Sequence, residues 1–151
     1  MENFSAESII ELLKLEVHPE GGFYRQTFKD TDSGSNGRSL SSVIYYLLKF
    51  DQVSHWHRVD ATEVWFWHSG APMVITISPN GCDAKALHLG ANIQANQKPH
   101  IIVKKNYWQS AVSLGEWSLV SCMVSPAFEF NGFEMADENW FPSYKEGLKK
   151  K

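Results

Sequence analysis

The feature that most constrains the fold is a succession of short β-type segments separated by turn signals. Residues 41–50 form a dense run of β-branched and aromatic residues, which is typical of a central strand. Asn80-Gly81 lies between two further segments and is typical of a tight hairpin turn. Other strands are predicted at residues 23–28, 63–68, 73–78, 84–89, 101–103, 108–112 and 117–124, and residues 128–135 are predicted to add another strand or an extended edge. This spacing predicts an antiparallel all-β barrel or jelly roll, after a short helix that Ser5 caps and that runs to about Leu15.

Composition limits the kind of protein. A chain of 151 residues is long enough to bury a core, so we expect a single domain over residues 1–151. The net charge of −3 gives no electrostatic reason to expect nucleic acid as a partner. No stretch approaches the length of a membrane span, and two cysteines are too few for a disulfide scaffold. We therefore expect a cytoplasmic protein with neither a nucleic-acid nor a membrane partner.

The polar residues with the clearest spacing lie between residues 54 and 70. His55 and His57 are two apart, so on a regular strand they project from the same face. Glu63 follows after a gap that allows a turn, and Gly70 stands where that second strand would end. Two imidazoles and one carboxylate on one side of a sheet are typical of a divalent-metal site.

These residues resemble the first motif of the cupin superfamily, the RmlC-like jelly rolls. The two histidines, the glutamate and the glycine match that motif, with one more residue than usual between the second histidine and the glutamate. Residues 104–109 match the second motif, with Asn106 in place of its glycine and Gln109 in place of its histidine. The resemblance implies an all-β fold, a double-stranded β-helix or jelly-roll barrel, with a short N-terminal helix.

A closer resemblance is to the fifth cupin family, a group of domains of unknown function. It covers roughly residues 8–145, and glutamine at the second-motif position is usual in that family. The segments that carry it are His18-Pro19-Glu20-Gly21-Gly22-Phe23-Tyr24, Ser54 with His57-Arg58, Glu63 with Trp65, Trp108-Gln109 and Val124-Ser125-Pro126 with Phe128 and Phe130. Gln26, Thr62 and Lys104 depart from its pattern. The resemblance also implies a homodimer that pairs through an exchanged or added edge strand.

A set of His55, His57, Glu63 and Gln109 is suited to Zn²⁺, Mn²⁺, Fe²⁺ or Ni²⁺ and would leave coordination positions open. A neutral amide is a weak ligand, and Gln109 could equally bind a substrate hydroxyl. For His57, the alternative is a hydrogen-bonded histidine at the mouth of the barrel.

Other side chains are candidates for substrate contacts. Arg25 and Arg58 could bind a phosphate or carboxylate, and Glu20 precedes a Gly-Gly pair at which backbone can approach a ligand. Trp65 shares the inward parity of Glu63 and could stack on a sugar ring.

Three functions follow from these residues and the resemblance. The favoured one is a metal-dependent isomerase or epimerase of a sugar phosphate or nucleotide-sugar, similar to cupin phosphomannose isomerases. Its proton transfer is assigned to His57 or Glu129, or to His57 with Tyr107 in a metal-free epimerase. The alternatives are a non-catalytic cupin that binds a small anionic or sugar-like ligand, and an Fe²⁺ dioxygenase.

Overall fold

A computed structural model describes residues 4–143 of the chain, so residues 1–3 and 144–151 of the predicted domain lie outside the described part. The elements, in chain order, are α1 (Ala6–Leu12), β1 (Glu16–Val17), β2 (Phe23–Lys29), β3 (Ser42–Lys49), β4 (Val53–Val59), β5 (Thr62–Gly70), β6 (Met73–Ser78), β7 (Lys85–Leu89), β8 (His100–Val103), β9 (Trp108–Ser113), β10 (Trp117–Ser125) and β11 (Phe133–Met135).

The strands form two sheets. One has the order β1-β2-β3-β10-β5-β8 and the other β11-β4-β9-β6-β7, with antiparallel pairing between neighbours. Strands distant in the chain, such as β3 and β10, are neighbours, as a jelly roll requires. The predicted fold class, an all-β jelly roll with a short N-terminal helix, is confirmed. The homodimer expected through an edge strand stays a prediction.

The helix is shorter than predicted. Ser5 caps it, and its side chain accepts a hydrogen bond from the backbone N–H of Ser8 at 3.1 Å. Lys14 takes a left-handed conformation with φ 54°, which ends the helix before Leu15. The chain can then bury Leu15 beside Leu47 of β3. No helix in the described part of the chain has the length and apolar character needed to cross a membrane.

The strand predicted over residues 128–135 is only partly present. Residues 130–132 form a 3₁₀ turn, and the strand starts at Phe133, which pairs with Val59 of β4. Gly132 in the turn lies against Asp60, so closely that a Cβ there would collide with the carboxylate. Phe128 before the turn and Phe130 at its start pack against each other and against Phe133.

Candidate functional site

The loop of residues 18–22, between β1 and β2, is pressed against β4. Gly21 has φ +105°, and a Cβ at this position would collide with the main-chain oxygen of Val53. The carbonyl of Glu20 accepts a hydrogen bond from the backbone N–H of His55 at 2.8 Å. This close approach is what places the buried Glu20 side chain inside the barrel.

A β-bulge in β4 decides which of its side chains point inward. Ser54 pairs with Ala111 and His57 with Gln109, so β4 has one more residue than β9 between these pairs. Ser54 and His57 are therefore both inward, and they are 0% and 2% exposed.

His55 consequently does not share a face with His57, and the prediction that it does is wrong. The ring Nε2 of His55 lies 3.1 Å from the carbonyl oxygen of Ala136 and 3.0 Å from that of Asp137. A bulge reverses the alternation by which two residues at i and i+2 would project together. His55 thus binds the segment after β11 instead of lining the barrel.

His57 and Glu20 form a buried pair. The Nε2 atom of His57 lies 3.0 Å from Oε2 of Glu20, and Nδ1 donates a hydrogen bond to the carbonyl of His55 at 2.7 Å. Burial raises the pKa of Glu20 to about 8, against the opposing effect of the Ser54 and Tyr46 hydroxyls. Burial also lowers the pKa of His57. At neutral pH, protonated Glu20 donates to the free Nε2 of neutral His57, so the pair holds a transferable proton.

A second buried carboxyl, Glu63, lies at the end of a hydrogen-bonded chain. Gln109 Nε2 donates to Oε2 of Glu63 at 2.7 Å, and Trp65 Nε1 donates to Oε1 of Gln109 at 2.8 Å. Burial raises the pKa of Glu63 to about 7, whereas His57 and the Gln109 amide lower it. The amide is held at both ends, and its oxygen is directed to Trp65.

His18 completes the polar group. Its Nδ1 accepts a hydrogen bond from the backbone N–H of Glu20 at 3.1 Å, and its ring packs edge-on against Tyr24 with centroids 4.5 Å apart. Burial, followed by repulsion from His57, lowers the pKa of His18 to about 4. The ring is therefore neutral at physiological pH and carries its hydrogen on Nε2.

These groups line one side of a cavity of about 290 Å³. Phe128, Phe130 and Phe133 also line it and form an aromatic wall, in which Phe133 packs against His57 with ring centroids 5.4 Å apart. Phe128 lies 5.0 Å from Phe130 and 5.7 Å from Phe133, measured between ring centroids. The volume is near the lower end for ligand pockets and suits a molecule of about monosaccharide size. The lining thus combines polar side chains with aromatic rings.

The aromatic wall is tied to the rest of the barrel through Arg38. The guanidinium donates to both carboxylate oxygens of Asp60 at 3.0 and 2.8 Å, and Nε donates to the carbonyl of Ala127 at 2.7 Å. The backbone N–H of Asp60 in turn donates to the carbonyl of Gly132 at 3.1 Å. Arg38 thus anchors the chain on both sides of the wall.

The donor geometry does not fit the predicted metal site. Of the four predicted ligands, only His57 and Glu63 line the cavity. Gln109 directs its oxygen to Trp65, and the bulge turns His55 away. Within residues 4–143, no three His, Cys, Asp or Glu side chains are arranged to hold a metal ion.

Two of the predicted substrate-binding residues lie away from the cavity. Arg25 projects from the other face of β2, where its guanidinium lies 5.9 Å from the centre of the Tyr45 ring. Arg58 pairs with Glu134 at 2.7 Å. Glu20 does line the cavity.

Three further residues that the sequence predicts in the site, two aromatic and one acidic, do not line the cavity. Trp65 is buried in the apolar core beside Tyr46, with ring centroids 5.8 Å apart. Tyr107 packs against the same core. Glu129 lies 3.9 Å from the guanidinium of Arg38. The structure therefore does not bring Tyr107 or Glu129 to His57 for proton transfer.

Sequence reasoning missed His18 and the aromatic wall as parts of the site. His18 stands in the His-Pro-Glu-Gly-Gly segment that carried the family resemblance, so the signal was present. The only sequence signal for the aromatic wall is the spacing of its phenylalanines, and that spacing predicts a strand. Arg38 had none, because its partners are 22 and 89 residues away.

Most of the chain is similar to a known protein family and to solved structures. Residues 7–136 match the model of a family described as Cupin superfamily (DUF985). A crystal structure of a protein from Shewanella oneidensis is 35% identical, with a TM-score of 0.86, over 89% of this chain and 86% of that chain. A hypothetical protein from Leishmania major is 25% identical, with a TM-score of 0.82, over 91% and 90% of the two chains.

A more distant likeness concerns the fold alone. Oxalate decarboxylase from Bacillus subtilis is 12% identical, with a TM-score of 0.61, over 79% of this chain and 29% of that chain. A search of curated proteins gives no match.

Proposed function

We propose that this chain, which belongs to the cupin superfamily in the family DUF985, is an isomerase or epimerase of a sugar-like substrate. The observation that carries the proposal is the buried contact of 3.0 Å between Glu20 and His57, inside a cavity that also holds Glu63. Carboxyls of raised pKa near neutrality are suited to both giving and taking a proton.

The reaction needs one base and one acid. In its carboxylate form, Glu63 accepts a proton from the carbon next to the substrate carbonyl, while Glu20 donates its proton to the carbonyl oxygen. The product of this step is an enediol, and both protons have moved to or from a named group. In the second step Glu63 returns its proton to the former carbonyl carbon while the hydroxyl on the neighbouring carbon gives its proton to Glu20, which isomerises the sugar. Delivery of a solvent proton to the other face of the original carbon, with the first hydroxyl giving its proton back to Glu20, epimerises it instead. His57 holds Glu20 in place and shares its proton.

This route uses no metal ion, in contrast to the metal-dependent isomerase that the motif spacing predicts. The support for leaving the metal out is the donor geometry of His55 and Gln109. Elemental analysis of protein purified without chelator or histidine tag tests it, beside a His57→Ala variant. We expect zinc, manganese, iron and nickel well below one equivalent in both. A near-stoichiometric metal that disappears in the variant would overturn the metal-free route.

Proton exchange with solvent is the direct test of the isomerase. Aldoses and ketoses, with and without phosphate, are incubated with the protein in D₂O, and NMR follows deuterium at the carbon next to the carbonyl. We expect exchange with at least one sugar, and a loss of about 100-fold or more in Glu20→Gln or Glu63→Gln. The matched control is Glu134→Gln, an exposed carboxyl that should keep the wild-type rate. Exchange that persists in Glu20→Gln would contradict the mechanism.

A second candidate is a cupin that binds a sugar-like ligand without turnover. The specific observation in its favour is the combination of an aromatic wall with a metal-ligand set that does not assemble. Binding of a sugar with no deuterium exchange in any of the assays above would favour this function over the isomerase.

A further inference from the structure

The charges around the cavity restrict the ligand further than its shape does. Three acidic side chains, Glu16, Glu20 and Glu63, line it. Among its described lining residues there is neither a lysine nor an arginine. Glu16 is exposed, which places it at the mouth of the cavity, whereas the other two are buried.

The arginines that could have compensated an anion do not line the cavity. Arg25 lies over Tyr45 on the opposite face of β2, and both Tyr24 and Gln26 on either side of it line the cavity. Arg58 binds Glu134.

Arg38, near the aromatic wall, is also occupied. Its guanidinium already donates to both oxygens of Asp60 and to a main-chain carbonyl. A phosphate in this cavity would therefore lose its hydration without gaining a cation, and it would lie near Glu63 in the carboxylate form that the reaction requires.

We infer that the cavity takes a sugar-like ligand that carries no phosphate or other anionic group. The inference rests on the proposed function for the sugar-like class of the ligand, and on the charges of the lining for the rest. It replaces the sugar phosphate, the nucleotide-sugar and the small anionic ligand that the resemblance implies.

Binding of matched sugars tests the inference. Aldohexoses and aldopentoses are each compared with their own phosphate esters by isothermal titration calorimetry or by saturation-transfer NMR. We expect at least one unphosphorylated sugar to bind, and its phosphate ester to bind about tenfold more weakly or worse. A phosphate ester that binds as tightly as its parent sugar, or a panel in which nothing binds, would overturn the inference.

Variants at the mouth of the cavity test whether the charges of its lining cause the weaker binding of the phosphate ester. Glu16→Lys and Gln26→Lys each place a cation beside the opening, so both should raise the affinity for the phosphate ester severalfold. Glu11→Lys makes the same change in net charge as Glu16→Lys on helix α1, away from the cavity lining, and should leave that affinity unchanged. Equal gains in Glu16→Lys and Glu11→Lys would mean that overall charge, not the cavity, rejects the anion, which would also overturn the inference.

The two proposals fail in distinguishable ways. Binding of a plain sugar without deuterium exchange would remove the isomerase and keep the ligand class. Exchange confined to phosphorylated sugars would keep the isomerase and remove the ligand class.

Discussion

The interior of the barrel has two parts that the same strands build in different ways. The apolar core is made of fully buried side chains, which include Leu48, Met73, Ile75, Leu89 and Val120. The cavity instead collects His18, Glu20, His57 and Glu63. Strand β10 contributes to both, with Val120 in the core and Val124 at the cavity.

The two parts differ in how burial of their side chains changes the free energy of folding. Burial of apolar side chains stabilises the fold, whereas buried carboxyls and imidazoles lose hydration and change their pKa values. The alternation along a strand decides whether a side chain points inward. Its position along the strand then decides which of the two parts it enters. The cavity can hold buried carboxyls and imidazoles because burial of the apolar core beside it offsets the free energy that their desolvation costs.

Truncation in the core should give the largest effect. Ile75 is 0% exposed, and Ile75→Ala removes methyl groups that the packed surroundings cannot replace, so we expect a loss of about 2–5 kcal/mol in the free energy of unfolding. Ile102→Ala is the matched control, because Ile102 is 54% exposed and should change that free energy by less than about 0.5 kcal/mol. Denaturant titration measures both, and equal losses would remove the distinction between core and surface.

Replacement of Glu20 should change the pH dependence of stability. Its pKa is about 8 in the folded protein, above its ordinary value of 4.5, so the folded state holds the extra proton between these two pH values. The stabilisation is complete below about pH 4.5 and is lost as the pH rises through 8. From pH 7 to 8 we expect Glu20 to account for a loss of about 1 kcal/mol in the free energy of unfolding of the wild type, and Glu20→Gln to keep only the smaller loss that comes from Glu63.

Two neighbouring groups define the window for this measurement. Glu63 has a pKa of about 7, and its contribution falls mainly below that pH. His18 acts in the opposite direction between its pKa of about 4 and its ordinary value of 6.5. Glu63→Gln should therefore keep most of the loss between pH 7 and 8. An unchanged slope in Glu20→Gln would contradict the assignment of the proton to Glu20.

Removal of the Gln109 amide should destabilise the fold, because this amide links Trp65 of the core to Glu63 of the cavity. Gln109→Leu leaves the indole N–H of Trp65 and the carboxyl of Glu63 without their partner, so we expect a loss of about 1–3 kcal/mol. Trp65→Phe removes the indole N–H, so in this background Gln109→Leu no longer leaves that donor without a partner. The double variant should thus be less destabilised than the sum of the single ones by at least about 0.5 kcal/mol. Additive losses would show that the amide does not couple the two residues.

Removal of the Arg38 anchor should give a modest loss of stability that is concentrated at the aromatic wall. The Arg38 side chain is 11% exposed, and Arg38→Ala breaks charge-assisted hydrogen bonds to Asp60 and Ala127, for an expected loss of about 1–2 kcal/mol. Hydrogen exchange should accelerate in residues 127–133. Arg58→Ala is the control, since its pair with Glu134 is exposed and is expected to contribute about 1 kcal/mol or less. Unchanged exchange over residues 127–133 in Arg38→Ala would contradict the anchor.

Much of the fold could be predicted because its signals are local. The β-branched run at residues 41–50 became β3, and the Asn80-Gly81 signal falls between β6 and β7. The strand predicted over residues 128–135 was wrong in its first half because Gly132 packs against Asp60, a contact across the molecule. A local pattern does not contain such a contact.

The site was only partly predictable for the same reason. The sequence singles out Glu20, His57 and Glu63, but it predicts Glu20 as a substrate contact, Glu63 as a metal ligand and His57 as a metal ligand or a proton-transferring group. What joins them in the structure is the Gly-Gly loop pressed against β4, which brings Glu20 to His57. The partner of His57 was therefore a neighbour in space and not the histidine two residues before it.

The sequence by itself determined the strands, the turns and the residue types available for chemistry, because alternation and turn preferences act over a few residues. The tertiary structure alone decided which of those residues meet. A single extra residue in β4 turned His55 out and left His57 in, and packing between distant strands supplied Glu20, Glu63 and the aromatic wall. A bulge and a long-range contact depend on the energy of the whole fold, so no short segment specifies them.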